Sequence, residues 1–286
     1  RWTMPGYGGL ALVDWQNEIF RLATYQNYQL STTAGNDRGN YRLSVGYANQ
    51  DGIVVCTNFK RLNAQFTGET KIKDRITFGL KIAPSVSWTE TGNVDGKDNS
   101  AMNALLLAPV AEAEAGKYSG AQPYTRYLWA GSQISPVSMM EEQQYKNEKV
   151  SIATSAYINL QIMKGLQAQV LGAWNYNDTK LRRFLPSTLN RYWADYPEGY
   201  YSNGTWTGTT GHKFLGQAQL TWDKTWGDHY LNMVAGWSVE SKNNSYSYTM
   251  KASQYPNNAI PGFDILNEQV TEATAKYNTD DHMVSY

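Results

Sequence analysis

The sequence predicts an all-β protein, part of a large antiparallel sheet of the kind that forms a transmembrane barrel. Three observations lead to this fold class. Long segments alternate apolar and polar residues, the connections between them are short at one end of the sheet and long at the other, and the polar positions carry mostly uncharged side chains.

The first two hairpins are predicted in the first third of the chain. Segments 26–34 and 40–49 alternate and are joined by "GNDRGN", which is rich in turn-forming residues. Segments 61–69 and 76–88 alternate in the same way and are joined by "KIKDR". Each pair therefore reads as two strands connected by a tight turn.

The next two hairpins follow in the second half. Segment 151–162 places Ile152, Ile158 and Leu160 on one face and polar residues on the other, and "MKG" leads into segment 166–176. Segments 213–223 and 230–240 repeat the pattern around "KTWGD". Eight strands are predicted in total.

The lengths of the connections indicate a barrel of the outer-membrane type. Short connections alternate with longer ones at 50–58, 90–148 and 178–212, so one end of the sheet has tight turns and the other has large loops, as in barrels with short periplasmic turns. Four tryptophans are expected near the ends of the apolar faces, as an interfacial girdle would be: Trp88, Trp174, Trp222 and Trp237.

The composition narrows the classes of function. The 286-residue chain has no net charge and only 17% charged residues, which gives no indication of a nucleic-acid partner. Its single cysteine, Cys56, and three histidines form no metal-ligand pattern, so no metal and no cofactor are predicted. No nucleophile elbow, phosphate-binding loop or zinc-protease motif is present, so the protein is not predicted to be an enzyme.

The polar faces distinguish a barrel from a soluble sandwich. Gln, Asn, Ser, Thr and Tyr predominate there, which suits a hydrated lumen or a surface packed on another polar domain. A soluble glycan-binding β-sandwich or propeller is the alternative, in which the polar faces are ordinary solvent-exposed surfaces and the tryptophans cap a core.

Residues 14–72 resemble the start of the barrel in the SusC/RagA family of TonB-dependent outer-membrane transporters of the Bacteroidetes. Their sequence is "DWQNEIFRLATYQNYQLSTTAGNDRGNYRLSVGYANQDGIVVCTNFKRLNAQFTGETKI". In that family D-W-x-x-x-x-F precedes N-x-x-L-S, Y-x-x-S-x-G-Y, Q-x-G-I and F-K-R, all of which stand here. "NALLLAPVAE" and "GLQAQVLGAWNYND" are similar to later parts of the family, whereas "TTAG" and Cys56 depart from it.

The resemblance implies a barrel of about 22 strands around a plug, of which this chain would be an internal fragment. Residues 1–25 are then expected to connect plug to barrel, and 26–286 to form a partial barrel with extracellular loops near 90–148, 178–212 and 242–286. A plug that contacts TonB would precede residue 1, and further strands would follow residue 286. The implied location is the outer membrane, with the barrel surface in contact with lipid.

The predicted loops hold the candidate site residues, because aromatic rings beside Arg, Asn and Asp bind oligosaccharides and also bury partner proteins. Three interpretations stay open: contact with ligand, contact with a SusD-like lid lipoprotein, and packing of loop on loop. The candidates are Tyr124, Arg126, Tyr127, Trp129, Tyr192, Trp193, Tyr200, Tyr201 and Trp206.

The resemblance therefore predicts transport and not catalysis. The expected function is TonB-dependent import of a large nutrient, an oligosaccharide or an oligopeptide, together with a SusD-like surface lipoprotein.

Overall fold

A computed structural model of the chain describes residues 14–92, 104–105, 136–186, 202–255, 270–278 and 281–285. Ten strands in these ranges form one antiparallel sheet, in which each of the first eight pairs with the next along the chain and the last two both pair with the eighth. The strands are β1 (Tyr25–Asn36), β2 (Gly39–Asp51), β3 (Asn58–Lys73), β4 (Ile76–Glu90), β5 (Gln144–Met163), β6 (Leu166–Leu185), β7 (Asn203–Trp226), β8 (His229–Ser253), β9 (Val270–Asn278) and β10 (Asp281–Ser285). Two short helices, α1 (Trp15–Ile19) and α2 (Pro136–Glu142), accompany the sheet.

β9 and β10 lie on the same edge of β8. β9 pairs with residues 245–252 of β8, and β10 pairs with residues 238–242. The two strands therefore follow one line along that edge. The register between β7 and β8 shifts between His212 and Phe214, close to the point where β9 gives way to β10.

The all-β prediction is confirmed, and each of the eight predicted strands is present, but the strands are longer than predicted. β5 begins at Gln144, β6 continues to Leu185, β7 begins at Asn203 and β8 continues to Ser253. The predicted loop bounds 90–148 and 178–212 are therefore wrong at their ends, and the range predicted as a third loop, 242–286, contains the end of β8 together with β9 and β10. Charged residues such as Lys146 and Lys180 break the alternation there, while the backbone ladder continues.

The four short turns lie together at one end of the sheet. In the first of them the side chain of Asn36 accepts hydrogen bonds from the backbone of Arg38 and Gly39, at 2.9 and 3.1 Å. The turn between β5 and β6 requires glycine, since Gly165 has a φ of +80° and an added Cβ would lie 2.1 Å from the carbonyl oxygen of Asp223. We call this the turn end, and the opposite end the loop end.

The sheet has an apolar face and a polar face. Because directly paired residues project to the same side, the row Phe78, Ile158, Val170, Ala218 and Trp237 belongs to the apolar face. The row Thr77, Asn159, Gln169 and Gln219 belongs to the polar face. On the apolar face Ile158 is 50% exposed and Val170 is 59% exposed, so these described strands leave their apolar side chains uncovered.

The polar face is the more crowded of the two. On β2 the polar-face residues Ser44 and Ala48 are 9% and 4% exposed, whereas Val45 on the apolar face is 43% exposed. Side chains converge on the inner side of a curved sheet and diverge on the outer side. The polar face is therefore the concave one.

The register also fixes the height of the tryptophans along the sheet. Trp88 and Trp222 lie at opposite ends of the apolar face, as predicted. Trp174 lies three rows inside Trp88, so its predicted position near an end of the apolar face is wrong, and Trp237 lies two rows inside Trp222. Alternation assigns a side chain to a face, but only strand register assigns it to a height.

The segment before β1 lies at the loop end. Asp14 caps α1 by accepting hydrogen bonds from the backbone of Gln16 and Asn17. Phe20 then bridges to Val54, between β2 and β3. α1 packs on α2, with the side chains of Trp15, Ile19 and Met140 buried. Among the described residues, no helix is both long enough and apolar enough to cross a membrane.

Candidate functional site

Eight of the nine sequence-predicted site residues lie outside the described residues. They are Tyr124, Arg126, Tyr127, Trp129, Tyr192, Trp193, Tyr200 and Tyr201. The ninth, Trp206, lies in β7 and not in a loop. The strand begins three residues before Trp206, because the Thr- and Gly-rich stretch 203–211 pairs with both β6 and β8.

Trp206 projects on the side of the apolar face, at the loop end. The guanidinium of Arg182 lies 5.1 Å from its ring centroid, within the range of a cation–π contact. Tyr248 meets the ring edge-on at 6.2 Å. Nearby, Phe184, Ala252 and Tyr255 form a buried cluster against which Trp206 packs. Trp206 thus stabilises β6, β7 and β8 at the loop end and does not line the polar face.

The polar face is the surface that can contact a solute. Its central rows carry amides, hydroxyls and phenols that donate and accept hydrogen bonds without a net charge. A second group of residues on this face is charged, and its arrangement is not apparent from the sequence alone.

Four carboxylates of the polar face have partners among the described residues. Glu69 accepts a 2.5 Å hydrogen bond from the Tyr157 hydroxyl. Glu240 pairs with Lys213 at 2.5 Å, and Glu272 pairs with Lys251 at 2.8 Å. Asp223, near the turn end, accepts hydrogen bonds from Tyr230 and Asn232.

Several cations of the same face have no carboxylate within ion-pair distance among the described residues. One row runs across eight strands and contains three of them with no acid: Ala48, Arg61, Ser87, Lys149, Thr179, Thr209, Ser247 and Lys276. A second row, closer to the turn end, places Arg42 and Lys81 on either side of Thr67. The described polar face therefore carries an excess of positive charge.

A separate network of polar contacts around Arg21 and Asp51 connects the segment before β1 to the sheet at the loop end. The guanidinium of Arg21 donates to the carbonyl oxygens of Gly52 and Thr57, at 3.1 and 3.0 Å. Asp51 accepts hydrogen bonds from Thr24 and Asn58, and these bonds, together with the charge of Arg21, hold the pKa of its carboxyl below the ordinary value.

Cys56 lies in the connection between β2 and β3, which contacts this network, and has a φ of +58°. The residue is exposed, and desolvation by its neighbours raises the pKa of its thiol. A raised pKa lowers the fraction of reactive thiolate near neutral pH. The arrangement of the described residues suits binding and guidance of a solute along the polar face.

Sequence reasoning missed the charged rows and the contact between Glu69 and Tyr157. Alternation does assign these residues to the polar face. The signal that could have identified them is a set of cations at polar-face positions with few acids among them, but their alignment depends on strand register.

No protein-family model matches the chain. Three curated relatives resemble it in sequence. It is 23% identical over 284 residues to the TonB-dependent receptor P3 of Formosa agariphila, and this match covers 97% of the chain and 27% of that receptor. TonB-dependent receptor P39 of the same organism is 22% identical over 90% of the chain and 23% of its own length. The TonB-dependent receptor SusC of Bacteroides thetaiotaomicron is 39% identical over 125 residues, which are 42% of the chain and 12% of SusC.

Solved structures resemble the chain in fold. The structure of the RagAB peptide transporter superposes with a TM-score of 0.74 at 14% identity, over 97% of this chain and 31% of that one. The "open-open" state of the RagAB peptide importer gives a TM-score of 0.71 at 15% identity, over 98% of this chain and 31% of that one. The chain spans about a quarter to a third of the length of the proteins that it matches over most of its residues.

Proposed function

Because the chain belongs to the SusC/RagA-like TonB-dependent transporters, we propose that the protein imports a large nutrient across the outer membrane. The nutrient is an oligosaccharide or an oligopeptide, and the energy for its entry is supplied through TonB. The chain spans about a quarter to a third of the length of its relatives, so this activity is proposed for a complete transporter of their length.

The two-faced sheet is the observation that carries the proposal. A continuous apolar face with side chains such as Val170 and Ile158 half exposed has the chemistry of a surface that meets lipid. A groove of about 250 Å³ on this face is suited to an acyl chain, and its lining includes Val45, Leu62, Ala64, Pro84, Val86 and Ile152. The concave polar face then lines the lumen.

The two ends of the sheet indicate its orientation across the membrane. Short turns gather at one end and long connections at the other, which is the arrangement of barrels whose turns face the periplasm. We assign the turn end to the periplasm and the loop end to the cell surface. The sequence-based assignment of residues 1–25 as the connection from the plug remains a proposal.

The partners follow from the family. A SusD-like lipoprotein covers the surface loops and captures the ligand, and TonB acts on a plug. The loop residues Tyr124, Arg126, Tyr127, Trp129, Tyr192, Trp193, Tyr200 and Tyr201 contact the ligand, the lid or one another. Named relatives are receptors and importers, which supports transport over catalysis.

The function is tested by deletion and complementation in the native host. Cells that lack the gene are grown on a panel of oligosaccharides and oligopeptides, each as sole nutrient. We expect loss of growth on at least one oligomer, restoration by the full-length gene, and no restoration in cells without TonB. Normal growth of the deletion strain on every oligomer would exclude the proposed role.

The orientation of the two faces is tested separately with spin labels in the full-length protein. Labels at Ala168 and Val170 are expected to be reached by a lipid-soluble relaxation agent. Labels at Gln167 and Gln169 are expected to be reached by a water-soluble one. Equal access at both pairs would contradict the placement of the apolar face in lipid.

A further inference from the structure

We propose that the polar face selects anionic oligosaccharides, those with carboxylate or sulfate groups, as the ligands that pass along it. This inference rests on the proposed function and adds the chemical class of the nutrient. Its basis is the alignment, on the concave face of the sheet, of cations that have no carboxylate partner among the described residues.

The described cations are concentrated on this face in excess of acids. Those without a carboxylate partner in the described part of the chain are Arg42, Arg61, Lys71, Lys81, Lys149 and Lys276. Glu240 and Glu272 are each compensated by a lysine. Glu69 and Asp223 accept hydrogen bonds only from neutral side chains and keep their negative charge, so the six cations still outnumber the uncompensated acids.

The spacing of the cations suits an extended ligand. Arg61 and Lys149 belong to one row and are separated by a single strand, β4, which places their backbones roughly 9–10 Å apart. Arg42 and Lys81 repeat this arrangement around Thr67 in a row nearer the turn end. A ligand that moves from the loop end toward the turn end therefore meets two successive pairs of positive charges.

The side chains between the two rows favour an oligosaccharide as the occupant. On β3 Asn63 and Gln65 lie between Arg61 and Thr67, and on β5 Ser151 lies between Lys149 and Ser155. Amides and hydroxyls both donate and accept hydrogen bonds, which matches the hydroxyl groups of a sugar chain. Arg61, Lys81 and Lys149 are all exposed on this face, so they are accessible to charged substituents.

On the apolar face, by contrast, lysines at the loop end lie beside carboxylates that balance their charge. At the loop end of the apolar face Lys146 lies 3.6 Å from Glu90, and Lys180 lies 3.4 Å from Asp178. The excess of positive charge is therefore a property of the concave face and not of the loop end as a whole.

The test measures binding of two matched pairs of probes to the purified full-length transporter. Oligogalacturonate is compared with its uncharged methyl ester, and dextran sulfate is compared with dextran of equal length. We expect the charged member of each pair to bind about tenfold more tightly at low salt, with the preference shrinking at high salt as the charges are screened.

The variant Arg61→Gln/Lys149→Gln is expected to lose most of this preference while binding the neutral probes unchanged. The control Lys60→Gln/Lys146→Gln removes the same charge from the opposite face, because Lys60 and Lys146 project on the apolar side, and it should retain the preference.

Three outcomes overturn the inference. Equal binding within both pairs shows that charge is not selected. Tighter binding of a poly-glutamate peptide than of both acidic sugars assigns the cations to peptide ligands. If Arg61→Gln/Lys149→Gln lowers the unfolding temperature and leaves the probe preference unchanged, the two cations contact another part of the protein and not the ligand. Each of these outcomes leaves import itself intact, since growth on the nutrient and its dependence on TonB are measured separately.

Discussion

The hydroxyl of Tyr157 on β5 donates a 2.5 Å hydrogen bond to Glu69 on β3, although β4 lies between the two strands. The contact is possible because the residue between them is Gly79, directly paired with both. An added Cβ at Gly79 would lie 2.2 Å from the Tyr157 ring. The absence of a side chain at Gly79 thus allows the tyrosine to cross the sheet and link three strands.

Gly79→Ala should destabilise the barrel by about 1–3 kcal/mol, because the new methyl group displaces the Tyr157 ring and separates the hydroxyl from Glu69. Chemical unfolding in detergent measures this cost. Tyr157→Phe keeps the ring and removes only the hydrogen bond, so its cost should be smaller, about 1 kcal/mol. In a Tyr157→Ala background Gly79→Ala should have almost no effect, and a full cost there would show that the ring is not the source of the strain.

Val170→Arg should destabilise the membrane-inserted protein by about 2 kcal/mol, since a charge on the lipid-facing side loses its hydration, at a cost that falls from the bilayer midplane toward the interface. Val170 pairs with Ile158, two rows inside Trp222 on the apolar face, and is 59% exposed there. The matched control is Gln169→Arg, one residue earlier and on the polar face. Unfolding from lipid vesicles measures both variants, and equal costs would contradict the assignment of the two faces.

The sequence predicts the faces of the strands well because alternation is a local property. Ile158 and Val170 fall on the apolar face, and Gln169 falls on the polar face, as the alternation of their segments predicts. The strand ends are less predictable. Lys180 projects on the apolar side in the row of Trp88, and Lys146 and Arg182 project on that side one row further out. The apolar pattern therefore stops there while the hydrogen-bonded ladder continues.

Features that depend on the alignment of several strands were not predictable. The crossing of Tyr157 over Gly79 requires the registers of β3, β4 and β5 together. The cation row that contains Arg61 and Lys149 has the same requirement. Trp206 shows the reverse error, because a run of Thr and Gly resembles a loop although its backbone pairs on both sides.

Acidification should loosen the segment before β1. Because the pKa of Asp51 is lowered in the folded protein, the carboxylate adds stability above the pKa of an unfolded aspartate, about 3.9, and this stability is lost as the pH falls through the lower folded value. Hydrogen exchange of the Arg21 and Val55 amides, which donate to Ile53 and Ile19, reports the loss once it is corrected for intrinsic rates.

Asp51→Ala should raise the exchange of these two amides near neutral pH and remove the acid-dependent increase. Asp37→Ala, in the turn between β1 and β2 at the opposite end of the sheet, is the control and should leave their exchange unchanged. An identical pH response in the wild-type protein and in Asp51→Ala would show that another group holds this segment.

The aromatic residues of the second long connection should separate into two groups when they are changed to alanine. Trp206→Ala removes a ring that packs between Arg182, Tyr248 and the Phe184 cluster, so we expect a loss of about 3 kcal/mol or more in unfolding free energy. Lid binding should change little, since this ring belongs to the sheet.

The variant with Tyr192, Trp193, Tyr200 and Tyr201 all changed to alanine should keep the stability of the barrel, because residues in surface loops contribute little to strand pairing. If these rings contact the ligand or the lid, one of them, Trp193 above all, should account for about 2 kcal/mol or more of binding. Co-purification with the SusD-like lipoprotein and growth on the imported nutrient separate the two contacts. Unchanged co-purification together with unchanged growth would leave packing of loop on loop as the role of all four residues.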